Sequence, residues 1–202
     1  MRRTLKDAAK REGEVLRLHQ TRRKDRQRPL LMLIDVSGSM KTYSESLMRL
    51  AHTLMQATDR AEVFTLGTRL TRITQALKVT DRTQALARTT QAIADFDGGT
   101  RIGEALSAYL SVPRYAGFAR GAFVIVLSDG LERGEPDIMI DAVRRLSRTA
   151  WRVDWLTPLA SDPDYEPKTA GLIGILPVLD HLGDGSSTGA VTDHILNMTR
   201  AA

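Results

Sequence analysis

At 202 residues with 42% hydrophobic side chains, the chain is long enough to close one α/β domain around a core. It holds no cysteine, which excludes disulfides, thiolate zinc sites and cysteine nucleophiles and makes a reducing cytoplasm the expected compartment. The net charge of +5 is uneven: residues 1–28 hold 11 Lys or Arg against 4 Asp or Glu, while the rest of the chain is close to neutral.

Residues 1–28 therefore read as a basic leader, and residues 29–202 as the domain. Within the leader, residues 3–12 fit a short charged helix, residues 15–21 a half-buried strand, and residues 22–28 an exposed connector that Pro29 ends. No apolar segment follows Met1-Arg2-Arg3, so no secretory signal is read, and no run reaches the ~18 apolar residues of a spanning helix. The leader can meet nucleic acid or anionic lipid through sequence-independent electrostatics. It lacks aromatic side chains for base stacking, and a solvated segment is the favoured reading.

Leu30-Leu31-Met32-Leu33-Ile34 has the unbroken apolar character of a strand buried on both faces. It runs into the polar loop Asp35-Val36-Ser37-Gly38-Ser39. Leu47, Leu50, Ala51, Leu54 and Met55 then recur at helical spacing. Residues 62–66 form a second strand, and residues 70–74 a short one returning antiparallel at the sheet edge. Residues 81–95 are helical in pattern, followed by Asp97-Gly98-Gly99-Thr100 and a helix carrying Ile102, Ala105, Leu106 and Tyr109. Phe123 to Leu127 is another buried strand, ending in Ser128-Asp129-Gly130. Pro136 opens a helix through Ala142, Val143 and Leu146. Trp151 to Leu156 is a further strand with both tryptophans on one side. A helix after Lys168, an edge segment Pro177-Val178-Leu179, an ordinary loop at 183–187 and a last helix near 188–198 complete the chain. Strands alternating with helices predict a Rossmann-like three-layer α/β sandwich: a mostly parallel sheet of about six strands with one antiparallel edge strand.

In such a sheet, ligands bind beyond the carboxyl ends of the strands, where the strand order reverses. Two apolar strands deliver Asp35, Ser37, Ser39 and Asp129 to that rim, and the glycine-rich loop delivers Thr100. All five are hard oxygen ligands, suited to Mg2+, Mn2+ or Ca2+ and poor for zinc or copper. Asp35, Ser37 and Ser39 are expected to hold the cation directly or nearly so, Thr100 and Asp129 directly or through water. Magnesium keeps several waters, leaving a position open to an acidic residue from a partner. Met40, Tyr43 and Arg101 are expected at the rim such a partner would touch.

The pattern Asp35-x-Ser37-x-Ser39 with distant Thr100 and Asp129 resembles the metal-ion-dependent adhesion site of von Willebrand factor A domains. Within that class, residues 14–182 look most like the CoxE-like proteins. The likeness rests on the basic segment before Arg28-Pro29-Leu30, on Asp97 to Gly103, on Ser128-Asp129-Gly130-Leu131-Glu132, and on Val153 to Leu159. The resemblance implies a non-catalytic, metal-dependent protein-binding domain. It also implies a MoxR-type AAA+ ATPase as partner, in maturing a metalloenzyme such as a molybdenum-containing carbon monoxide dehydrogenase.

Other chemistries fit less well. A haloacid dehalogenase-type phosphatase needs a second aspartate where Ser37 stands. Gly-x-Ser-x-Gly and the phosphate-binding Gly-x-x-x-x-Gly-Lys-Ser/Thr loop are both absent. A metal-dependent phosphoesterase remains open in principle, but no general base lies beside the motif. A nucleic-acid-binding module using the leader is the other alternative. The histidines at 19, 52, 181 and 194 are scattered, and His181 beside Asp180 is a weak pair.

Overall fold

The computed structural model of the protein describes residues 27–93 and 100–200. The expectations for the leader helix and strand, and for Asp97-Gly98-Gly99, lie outside the described residues. Six strands, β1 (Leu30–Asp35), β2 (Ala61–Leu66), β3 (Thr71–Arg72), β4 (Phe123–Leu127), β5 (Arg152–Thr157) and β6 (His181–Asp184), form one sheet in the order β3-β2-β1-β4-β5-β6. Every pairing is parallel except β2 with β3, the antiparallel edge strand that the sequence predicts.

The helices are α1 (Lys41–Ala57), α2 (Thr74–Leu77), α3 (Arg82–Ala92), α4 (Ile102–Ser111), α5 (Pro113–Ala119), α6 (Pro136–Ser147), α7 (Ala170–Ile175) and α8 (Thr188–Arg200). Strand β1 explains why both sheet faces are covered. Leu30, Met32 and Ile34 join the core beneath α1 and α8, and Leu31 and Leu33 join the core beneath α4 and α6. Alternate side chains thus enter opposite cores, and only an uninterrupted apolar run satisfies both. Local signals fix the helix starts. Asp81 caps α3 by accepting from the Gln84 amide at 2.7 Å, Thr169 caps α7, and Pro113 and Pro136 stand in the first turns of α5 and α6.

Three local expectations give way. Leu176–Val178 is a one-turn 310 helix, and the edge strand forms at His181–Asp184, including residues expected as loop. Helices α2 and α5 are too short to leave a periodic signal. Trp151 precedes β5, where both it and Arg152 donate backbone hydrogen bonds to the Ala122 carbonyl. That doubling breaks the alternation. Trp155 is fully buried, whereas Trp151 stays partly exposed, edge-on to Phe123 and beneath the Arg28 guanidinium.

Helices α4 and α6 meet at Gly103. A Cβ there would stand 2.5 Å from the Met139 amide nitrogen, a contact that backbone cannot relieve by rotating a side chain. Gly103→Ala is expected to cost about 1–3 kcal/mol of stability, readable as a lowered urea midpoint, and an unchanged midpoint would mean that the helices separate at no cost.

At the far edge, Asp154 on β5 is fully buried and accepts from Arg152 Nε at 2.7 Å and His194 Nε2 at 2.6 Å. The His181 ring stacks on His194 with centroids 4.6 Å apart. Burial, and then the charge of His194, push the His181 imidazole below its ordinary value; Asp154 opposes this and Arg152 adds to it. The folded chain therefore resists a proton that the unfolded chain accepts. The stability linked to His181 is fully present above about pH 6.5 and is lost as pH falls below it. Urea midpoints at pH 7.5 and 5.5 are expected to differ less in His181→Gln than in the parent, and equal differences would remove His181 from the acid response.

Candidate metal centre

Strand order reverses at β1, which sends its chain first to β2 on one side and later receives β4 on the other. Asp35 is the last residue of β1, and its pairing with β4 sets Ile34 beside Leu127. The next residues therefore meet across the switch point: Ser128 Oγ donates to Asp35 Oδ2 at 2.6 Å. Asp35 Oδ1 accepts from the Ser37 amide at 2.8 Å and from Thr100 Oγ1 at 2.9 Å. Thr100 thereby joins a centre that lies 65 residues back along the chain.

Beyond Asp35, Gly38–Met40 forms a single 310 turn closed by the Met40 amide on the Ser37 carbonyl at 3.0 Å. The turn brings Ser37 Oγ and Ser39 Oγ to 3.1 Å. It leaves Ser39 exposed and Ser37 nearly buried. It also sends Met40 inward: that side chain is 1% exposed within the core, so the expectation of Met40 at the rim is corrected. An apolar residue opening an amphipathic helix belongs to its buried face. Tyr43 is half-buried against the same core. Arg101 does stand in solvent, paired with Glu104 at 2.9 Å.

After Ser128 the chain turns at Gly130, whose φ of 72° lies in the left-handed region. A Cβ there would also collide with the Leu172 side chain. The Asp129 carboxylate accepts from the Leu131 amide at 3.0 Å, which holds this second acid at the mouth of the turn. The Arg133 amide bonds the Thr100 carbonyl, and the Arg101 amide bonds the Gly67 carbonyl. The loops after β2, before α4 and after β4 are thus stitched together around the centre.

The side chains suit a hard dication. Asp35 is 0% exposed, and among the described residues its hydrogen bonds come from neutral donors and no salt bridge reaches it. Burial outweighs those hydrogen bonds and raises its pKa. A carboxylate buried without a positive partner is costly unless paired with a cation or a metal. Asp129 adds a second carboxylate, and Ser37, Ser39 and Thr100 add hydroxyls, an all-oxygen set fit for magnesium, manganese or calcium. Among the described residues no three His, Cys, Asp or Glu side chains gather as an alternative metal cluster.

Three participants went unread in the sequence. Ser128 bonds Asp35, and aligning two apolar strands that end at Ile34 and Leu127 would have placed it there. Glu132 accepts from the amides of Gly103 at 2.6 Å and Gly134 at 2.7 Å, anchoring the start of α4 to the β4 loop. Tyr165 lies close enough to Asp129 for that charge to add to burial in raising its hydroxyl pKa. It sits on an irregular loop with no periodicity to find it.

The profile of the family described as VWA domain containing CoxE-like protein matches residues 1–190. The chain belongs to that family. No curated protein sequence matches this CoxE-like chain. Among solved structures it is similar to a von Willebrand factor type A protein from Catenulispora acidiphila, at 20% identity and a TM-score of 0.60, over 86% of this chain and 42% of that one. It is also similar to an aerotolerance-related membrane protein from Bacteroides fragilis, at 16% identity and a TM-score of 0.55, over 87% and 100%. BatB from Bacteroides thetaiotaomicron matches at 18% identity and a TM-score of 0.53, over 86% and 100%. These likenesses carry the fold. VWA domains commonly bind a divalent metal and mediate protein interactions. Among the described residues of this CoxE-like chain, no helix is long and apolar enough to cross a membrane.

Proposed function

We propose that the chain is a non-catalytic, metal-dependent protein-binding domain whose cation is held by Asp35, Ser37, Ser39, Thr100 and Asp129. The observation that carries this reading is the buried Asp35 carboxylate, ringed by hydroxyl and amide donors at the topological switch point and reached by no salt bridge among the described residues. When bound, the cation would act as a Lewis acid open to a carboxylate from a partner. The protein's own side chains do the rest: Ser128 and the Ser37 amide fix the Asp35 rotamer, and the 310 turn presents Ser39 to solvent beside Ser37. Magnesium is the expected cation, with manganese or calcium as substitutes.

The CoxE-like membership supports a cytoplasmic accessory role beside a MoxR-type AAA+ ATPase, in maturing a molybdenum-containing carbon monoxide dehydrogenase-like enzyme. Co-purification of the chain with such an ATPase in magnesium and in chelator tests this reading. Capture is expected to fall about ten-fold or more in chelator and in Thr100→Ala. Equal capture under all these conditions would refute the metal-dependent mechanism.

A further inference from the structure

Three arginines stand on the three loops that frame the centre: Arg69 beyond β2, Arg101 before α4 and Arg133 beyond β4, all exposed. Their loops are fastened in series by the hydrogen bonds from Arg101 N to Gly67 O at 3.3 Å and from Arg133 N to Thr100 O at 3.2 Å. Backbone contacts, not the arginine side chains, fasten these loops to one another. Arg101 pairs with Glu104 at a surface site where both side chains are about half exposed, a bond weak enough to exchange. Arg69 and Arg133 have no ion pair among the described residues. Two carboxylates on these elements are committed inward, Asp35 to its hydroxyl donors and Glu132 to the Gly103 and Gly134 amides.

We propose that this rim receives an acidic segment of a partner protein, in which the carboxylate offered to the metal is flanked by further carboxylates that Arg69, Arg101 and Arg133 engage. The inference rests on the metal-dependent reading above and adds the partner's chemistry to it. A lone glutamate committed to the metal leaves the guanidinium groups on the surrounding loops without carboxylates of their own. An acidic run gains a planar, two-pronged partner for each flanking carboxylate, and the field of the arc speeds its approach at low salt.

The test uses the full chain and two capped nonapeptides. One carries a single central Glu among Ser and Gly, and the other carries two further Glu on each side. Affinities are measured in magnesium and in chelator at low salt, for the parent and for the triple variant Arg69→Ala, Arg101→Ala, Arg133→Ala. The parent is expected to bind the acidic peptide about ten-fold more tightly than the single-Glu peptide. The triple variant should bind the two within about two-fold and keep the parent's magnesium affinity. A parent that does not distinguish the peptides, or binds neither, would overturn the inference, as would an acidic preference that survives in the variant. The comparison with chelator reads separately: an arginine-dependent preference that ignores magnesium would uphold the arc while sinking the metal-dependent reading.

Discussion

Asp35→Ala is expected to abolish the stabilisation that magnesium gives the protein while leaving a folded chain. In the parent, a cation bound only by the folded state adds RT ln(1 + [L]/Kd), about 2.7 kcal/mol at a hundred-fold excess over Kd. For a chain of this size, that raises the thermal midpoint by about 5–10 °C. In the variant the response should vanish, because the site loses its most buried carboxylate. Stability in chelator should change by only about 1–2 kcal/mol. The donors from Ser128, Thr100 and the Ser37 amide lose their acceptor, but the cost of burying a carboxylate without a cation disappears with it. Thermal unfolding of parent and variant, each in magnesium and in chelator, checks both halves. A variant that gains as much from magnesium as the parent would place the cation elsewhere.

The second large effect concerns Trp155. This side chain is fully buried on β5, and its indole Nε1 donates to the Ser128 carbonyl at 3.0 Å. It therefore serves the core and also holds the strand end from which Ser128 and Asp129 project. Trp155→Ala should cost about 3–5 kcal/mol and is expected to leave little folded protein at 37 °C. Trp155→Phe keeps most of the apolar contact and orphans the Ser128 carbonyl, at an expected cost of about 1–3 kcal/mol. Magnesium affinity should fall along with stability in this milder variant, since the Ser128–Asp129 turn loses its tether. Chemical denaturation paired with a magnesium titration measures both. Unaltered magnesium affinity in a destabilised Trp155→Phe would confine the indole to the core.

How legible these features were in the sequence depended on how local their causes are. The sheet was readable because β1 and β4 are unbroken apolar runs, and only a central parallel strand buries both faces. The five proposed oxygen ligands could be picked out because their residue types and spacing suit a strand end and a glycine-rich loop. Ser128 becomes legible only once β1 and β4 are aligned at their apolar ends, Ile34 beside Leu127; its own segment carries no sign of that partner. Met40 was misplaced because its direction is set by the 310 turn before α1, and a single turn leaves no period. The β6 edge strand was displaced from Pro177–Leu179 to His181–Asp184 because parallel pairing with β5 depends on partners far along the chain. The two stacked histidines beside Asp154 came together for the same reason, from positions too scattered to read as a group.

The most direct test is a calorimetric titration of magnesium, and then manganese, into the purified, chelator-stripped full chain, with Asp129→Ala alongside. Saturable binding with a stoichiometry of about one in the parent, lost or weakened at least ten-fold in the variant, is the expected result. Identical titrations for the parent and Asp129→Ala, whether both bind or neither does, would contradict a cation held by Asp35, Ser37, Ser39, Thr100 and Asp129.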